Sequence, residues 1–371
     1  MTHSDAIPPS PGVIIVGAGV AGSLTARLLA EAGIKVAIMD PTLPSPLNQQ
    51  RRGALYMKPA VDYNPETRFA HQAFGAASRF YSRLQGEHPD INFWFPTGTL
   101  ALAWSEREQE RQDKLLARNH WDPAFLEPVT AREACEICGL DVTASGLWFP
   151  GGGHMRVDAL RQAALTHPLI KTHHLQVEPD RIQASAQGWQ LPLPEGERLE
   201  AQTLVIAAGA GAPAWAPELP LGRIRGQLTT FPCTGPGPAV AVSGAGYALP
   251  PYEGRVCVGA TFDRDSDNAG PDSNSDRDNL NNLARWLPAL AQQLEGAENA
   301  GHWVGFRSTT PDHMPVAGAL KDHYIVAGLG GKGLMYAPLI AEHLTAMIQA
   351  KPSPLAPELS QRLTPERFHK G

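Results

Sequence analysis

"GVIIVGAGVAGSLTARLLAEAGIKVAIMDP", residues 12–41, carries the fold of this chain. Val13 to Val16 read as a short buried strand, and Gly17, Gly19 and Gly22 follow at G-x-G-x-x-G spacing. Val20 and Ala21 open a helix that Leu24, Leu28 and Leu29 continue with helical period. Val36 to Met39 form a second strand, ending in Asp40. In this order the glycines acquire separate tasks. Gly17 permits a tight turn, Gly19 lets the backbone approach a pyrophosphate, and Gly22 lets helix and strand pack closely. The helix N-terminus then faces the phosphates, and Asp40 is placed to accept hydrogen bonds from a ribose hydroxyl. The stretch predicts a Rossmann-like dinucleotide-binding unit.

At 371 residues the chain exceeds the size at which one hydrophobic core keeps growing, so two domains are expected. Hydrophobic residues make up 43% and charged residues 18%, the balance of a globular protein. The formal net charge of -6 supplies no global attraction for nucleic acid or an anionic membrane. The opening "MTHSDAIPPSPG" lacks the basic segment and apolar run of a secretory signal, and no apolar stretch reaches the length of a membrane span. A cytoplasmic location is the expectation. Four cysteines do not make a disulfide framework, and the single Cys-x-x-Cys of Cys135 and Cys138 lacks two further ligands for zinc. The acidic stretch 263–276 starts like a calcium loop but lacks its glycine and terminal glutamate, so no metal site is expected. It leads into an amphipathic helix with Leu280, Leu283, Leu287 and Leu290 as core contacts.

Later segments decide which dinucleotide. "TLVIAAGAGAP", 203–213, is a buried strand with a small-residue exit at Gly209, and a third strand at Tyr324 to Ala327 arrives only near the end of the chain. The nucleotide domain is therefore read as discontinuous, α/β in class: residues 1–85, 146–215 and 301–371, with an antiparallel β-sheet substrate domain from 86–145 and 216–300. After the last strand, Gly328, Gly330, Gly331 and Gly333 form a loop with Lys332 before a helix begins at Leu334. Such a loop at a helix N-terminus can stabilise negative charge on the N1/C2=O edge of a reduced flavin.

The opening glycine motif, "IRGQL" (224–228), "YALPPYEGRVCVGATF" (247–262), "VGFRSTTPDHMPVAG" (304–318) and "GLGGKGLMYAP" (328–338) occur in the order of the D-amino-acid oxidase/glycine oxidase superfamily. Nearly the whole chain resembles that superfamily of FAD enzymes. Within it, "RRGALY", "FAHQAFGAASRFYSRL" and "GLGGKGLMYAPLIAE" are most similar to the FAD oxidoreductase half of the bifunctional tRNA 5-methylaminomethyl-2-thiouridine biosynthesis family. A counterpart of that family's methyltransferase half is lacking, so only the oxidative step is expected. Two departures stand out. The family's Ser-Gly-Asn lead-in is here Asn48 to Arg52, and Lys332 stands where the family tends to place Arg, keeping the charge but losing the fork.

The resemblance implies FAD as cofactor, with Arg52, Gly53 and Ala54 among its contacts, and it places Arg307 where the substrate carboxylate is received. Tyr247 matches a substrate-side tyrosine, while its alternative is a core tyrosine. Asp312 either orients its loop or pairs with Arg307, and His313 is either a loop histidine or a residue near the flavin. The implied reaction takes a hydride from the carbon between an amine and a carboxylate, and water then splits the imine into a free amine and an oxo acid. Three readings stay open: a tRNA wobble-uridine oxidoreductase, a free amino-acid oxidase or dehydrogenase acting on glycine, sarcosine or a D-amino acid, and a non-catalytic flavin-binding protein. The negative net charge weighs against the first.

Overall fold

The computed structural model of the protein describes residues 12–43 and 51–368. The N-terminal segment and Asn48 to Gln50 of the altered lead-in lie outside the described residues.

Its centre is a six-stranded sheet in the spatial order Val316–Leu320, His323–Ala327, Thr203–Ile206, Val13–Val16, Val36–Met39, Ile170–His173. All neighbours run parallel except the first pair. Every residue of Val13–Val16, Val36–Met39 and Leu204 to Ile206 is buried, as expected of a parallel sheet covered on both faces. Val13 and Ile15 pack towards Ala26 and Leu29 of the helix Val20–Glu31. Ile14 and Val16 face the other way, onto Leu191 and Ala201 of a small antiparallel sheet. The helices Val20–Glu31, Pro65–Glu87 and Gly333–Ile348 share one large apolar cluster on the first face. No helix among the described residues is long and apolar enough to cross a membrane.

A second, eight-stranded sheet has the order Gly301–Thr309, Gly222–Pro232, Arg255–Gly259, Tyr247–Tyr252, Ala241–Ser243, Thr99–Leu102, Gly146–Phe149, Glu127–Val129. It is antiparallel apart from one parallel pair, Ala241–Ser243 with Thr99–Leu102. Two of its strands, Gly146–Phe149 and Gly301–Thr309, fall in stretches that the sequence grouped with the nucleotide domain. Pairing overrides proximity along the chain: Gly301–Thr309 forms an unbroken ladder with Gly222–Pro232 from Gly222↔Thr309 to Thr230↔Gly301. We propose that both strands belong to the substrate unit. A three-stranded sheet, Arg52–Leu55, Gly153–Arg156 and Trp94–Phe95, joins the two.

The long amphipathic helix expected after residue 276 is two helices, Ser273–Ala284 and Pro288–Leu294. Pro288 lacks the N–H that would continue the first helix and instead starts the second. Leu283, Leu287 and Leu290 are buried beneath the eight-stranded sheet, as the pattern required, while Leu280 is partly buried. Cys135, Cys138, Cys233 and Cys257 are free thiols.

Candidate functional site

Alternation along the first two strands of the large sheet sends successive side chains to opposite faces. In Gly222–Pro232, Arg225, Gln227 and Thr229 point away from the nucleotide unit. Gln227 Nε2 and Thr229 Oγ1 both donate to Asp276 Oδ1, and Asn279 Nδ2 donates to the Gln227 carbonyl. Gly226 and Leu228 face the other way, as do Trp303, Gly305 and Arg307 of the neighbouring strand. These five residues form one wall of a cavity of about 680 Å³ between the two sheets.

The opposite wall comes from the nucleotide unit. Gly19, Val20 and Ala21 line it at the N-terminus of the first helix, and Gly209 lines it after the strand Thr203–Ile206. Gly328, Gly330, Gly331, Gly333 and Leu334 bring in the last glycine loop, and Arg52 and Gly53 bring in the joining sheet. Tyr247 completes the set. Segments separated by hundreds of residues are thus brought to one place. The contact of Gly53 with Leu334 shows how close they lie, since a Cβ on Gly53 would meet Leu334 Cδ1 at 2.4 Å.

Other expected residues lie behind the wall or away from it. Gly17 takes the turn at φ +100°, where a Cβ would strike the Ala207 carbonyl oxygen at 2.4 Å. Gly22 lies so close to the turn that a Cβ would come within 1.9 Å of the Gly17 carbonyl oxygen. Asp40 Oδ2 accepts the Ala18 N–H at 2.7 Å and Oδ1 accepts the Thr42 N–H at 2.8 Å, so this carboxylate organises the glycine turn itself. Ala54 is buried in its strand beside Leu228 and Leu249. Lys332 turns its ammonium towards the Tyr336 hydroxyl at 3.2 Å, away from the cavity. His313 is exposed in a turn with φ 57° and is not among the lining residues. Asp312 pairs with Arg367, Nε to Oδ2 at 2.8 Å, and not with Arg307.

Arg307 is held by its Nη1, which donates to the Thr261 carbonyl at 3.0 Å and the Arg225 carbonyl at 3.3 Å. Its guanidinium lies across Gly226, where a Cβ would meet Nη1 at 2.4 Å. No Asp or Glu among the described residues forms an ion pair with it. Burial lowers its proton affinity, and the nearby hydroxyls of Tyr247 and Tyr56 oppose that shift. Burial also raises both tyrosines, with Arg307 acting in the opposite direction on each. Tyr56, which lines the cavity, was legible only as the last letter of "RRGALY".

Basic groups surround the remaining wall. Arg51 lies over the Trp303 ring at 4.4 Å, and burial lowers its pKa to about 10 although Asp158 opposes the shift. Arg52 donates to the Pro250 carbonyl at 2.8 Å and bonds His154 Nδ1 at 2.9 Å, while its Nε is buried without a partner. Burial, with Arg52 alongside, depresses His154 to about 3, so the imidazole is neutral and accepts at Nδ1. At the mouth, Glu108 pairs with Lys58 at 2.9 Å and Arg111 at 2.7 Å. Burial raises its pKa, but these two cations outweigh it and hold the group below its usual range.

These features fit a flavin dinucleotide. The direction a Cβ would take at Gly19 is open, with nothing within 4 Å, whereas Gly17 and Gly22 are closed in by protein. Neither the helix at Val20 nor the helix at Gly333 has a side-chain cap, so the N–H groups of two helix termini are left for a ligand. Arg52, whose Nε is buried without a partner, adds a positive charge to the wall. A family model described as FAD dependent oxidoreductase matches residues 12–347.

The chain belongs to the FAD-dependent oxidoreductase family. Among curated relatives, it is 37% identical over 398 residues to the tRNA 5-methylaminomethyl-2-thiouridine biosynthesis bifunctional protein MnmC of Marinobacter nauticus, covering 100% of this chain and 61% of that protein. The bifunctional protein of the same name from Hahella chejuensis is 32% identical, over 97% of this chain and 60% of that protein. The chain therefore spans about three-fifths of the length of these relatives. Among solved structures, glycine oxidase from Geobacillus kaustophilus superposes with a TM-score of 0.78 at 21% identity, covering 95% of this chain and 98% of that one. L-proline dehydrogenase from P. horikoshii gives 0.79 at 19% identity, covering 98% and 99%. At these identities the likeness is one of fold.

This FAD-dependent oxidoreductase has neither cysteine nor histidine among the described lining residues, so the wall offers no thiol or imidazole to bond the flavin covalently. Acid precipitation of the purified yellow protein is expected to release all of its flavin to the supernatant, and colour kept in the pellet would contradict this.

Proposed function

We propose that this oxidoreductase acts on an amine whose nitrogen carries a carboxymethyl group, and that the amine is the carboxymethylaminomethyl substituent of a tRNA wobble uridine. The products are glyoxylate and the free aminomethyl group. The observation that carries the reading is Arg307: a guanidinium in the cavity wall, held by carbonyl oxygens and facing the last glycine loop, with no carboxylate partner among the described residues. A half-buried guanidinium with no protein carboxylate beside it suits a ligand carboxylate. The relatives' role in tRNA modification, stated in their names, supports the choice of substrate.

Gly19, the first turn of the helix at Val20, Arg52 and the loop 328–333 would hold the cofactor, on a glycine turn that Asp40 organises. Bound there, FAD would supply the acceptor for a hydride, that is one hydrogen with its two bonding electrons, from the carbon between nitrogen and carboxylate. Arg307 fixes the carboxylate, and Tyr247 and Tyr56 present hydroxyls beside it, so the contribution of the protein is mainly orientation. Among the described lining residues no carboxylate or imidazole is free to act as a base. Glu108, the carboxylate among the lining residues, is occupied by Lys58 and Arg111. The amine therefore reacts neutral, its N–H proton leaves to water, and water hydrolyses the imine carbon once the product is exposed.

Anaerobic mixing of the holoprotein with tRNA bearing carboxymethylaminomethyl-uridine should bleach the flavin and release one glyoxylate per flavin. Bleaching by glycine or sarcosine with no response to the modified tRNA would replace this reading with that of a free amino-acid enzyme.

A further inference from the structure

Phe262 has no role in orienting a carboxylate, yet it lines the cavity as a residue 57% exposed. Its position is fixed on both sides. Thr261 N–H donates to the Gln227 carbonyl and Thr261 Oγ1 accepts from Gln227 N–H, while Arg225 and Asp263 exchange backbone hydrogen bonds at 2.8 and 3.0 Å. Beyond it, the fully buried Arg225 ties down the following loop through the carbonyls of Asn268 and Gly270 and the Ser275 hydroxyl. An aromatic ring held in water by so many bonds is a prepared surface, since a loosely held one would fold onto apolar neighbours.

Cations flank the ring: the guanidinium carbons of Arg307 and Arg264 both lie 5.5 Å from its centroid. The second aromatic at this edge, Phe306, carries Arg223 at 3.5 Å. An exposed aromatic ring flanked by guanidinium groups is suited to stacking a flat heterocycle. The acids beside them, Asp263, Asp265 and Asp267, disfavour a phosphate at the same spot, and Asp267 engages Arg223 at 3.6 Å. We propose that Phe262 is the stacking platform for the pyrimidine ring of the substrate, and hence a specificity-determining residue that separates a uridine-borne amine from a free amino acid.

This inference rests on the function proposed above. Four single bonds of about 1.5 Å connect the carboxyl carbon to ring carbon C5 in a carboxymethylaminomethyl-uracil, a zigzag reach of roughly 5 Å. Since the Phe262 centroid is 5.5 Å from the Arg307 guanidinium, a substrate clamped at Arg307 can lay its ring on Phe262.

The test compares wild-type holoprotein, Phe262→Ala and Phe262→Trp with two probes, 5-carboxymethylaminomethyl-uridine nucleoside and sarcosine, which carries the same reacting fragment without the ring. Binding is read from the perturbed spectrum of the oxidised flavin and turnover from anaerobic bleaching. Phe262→Ala should weaken nucleoside binding by about 10- to 100-fold, the range of base–aromatic stacking, and the loss should exceed that for sarcosine by about tenfold or more. Phe262→Trp should restore it. Equal losses for the two probes, or an unaffected nucleoside, would overturn the platform even if the wild type oxidises the nucleoside. A nucleoside bound through Phe262 but not oxidised would leave the platform standing and remove the proposed function. A wild type that neither binds nor oxidises it would remove both.

Discussion

Arg307→Ala should purify yellow and lose kcat/KM by about 30-fold to several thousand-fold, corresponding to roughly 2–5 kcal/mol for truncating one side of a desolvated charged contact. The alanine leaves the substrate carboxylate facing the rings of Tyr56, Tyr247 and Phe262 without the guanidinium that fixes its position. Arg307→Lys should recover part of the loss, because an ammonium keeps the charge but not the two-pronged geometry. Thermal stability distinguishes this role from a structural one. Among the described residues Arg307 has hydrogen bonds to the carbonyls of Thr261 and Arg225 and pairs with no acid, so removing it should leave the melting temperature unchanged or raised. A stable Arg307→Ala protein whose flavin is still reduced at the wild-type rate would take the residue out of the active site.

The second large effect lies in the glycine turn, where two substitutions differing by one methyl each should behave oppositely. In Gly22→Ala the new Cβ would come 1.9 Å from the Gly17 carbonyl oxygen and 3.2 Å from the Ala207 Cβ, and the nearest obstacle is backbone. The helix must retreat from the turn, destabilising the protein by about 3 kcal/mol, at the upper end of ordinary overpacking, and FAD binding is lost with it. In Gly19→Ala the Cβ meets nothing within 4 Å, and the residue sits at φ -63°, which alanine adopts freely. That protein should fold with the apo wild-type melting temperature but bind FAD far more weakly, because the methyl occupies space intended for the pyrophosphate. Parallel melting curves with and without added FAD check both, since a bound ligand raises stability by mass action. Equal FAD affinity in Gly19→Ala would mean that the phosphates lie elsewhere.

Local pattern carried the nucleotide half of the fold. Each step from Val13 to Asp40 depends on residues within a few positions: an apolar run for a buried strand, a glycine at φ +100°, a helical period, then another run. The strand before Gly328 and the helix after Lys332 were legible for the same reason. The choice of FAD rested on the glycine loop 328–333 together with whole-segment resemblance, and the place of Arg307 on resemblance alone, since a lone arginine in a strand has no local signature of what it binds.

Tertiary structure alone decided where the sheets divide and which candidates meet. Gly301–Thr309 reads as one more strand near the end of the chain, and only its ladder with Gly222–Pro232, some eighty positions earlier, assigns it to the larger sheet. That pairing fixes the two-residue alternation which sends Trp303, Gly305 and Arg307 into the cavity and Arg225 and Gln227 to the opposite face. His313 and Lys332 have the chemistry of site residues, but a turn exposes the first and Tyr336 draws the second aside. Tyr56 and Phe262 carried no signal, because their meaning lies in distance to Arg307 and in exposure. Periodicity along a chain encodes which way a side chain faces within its own element; what it faces depends on contacts between segments hundreds of residues apart, and these are set by packing.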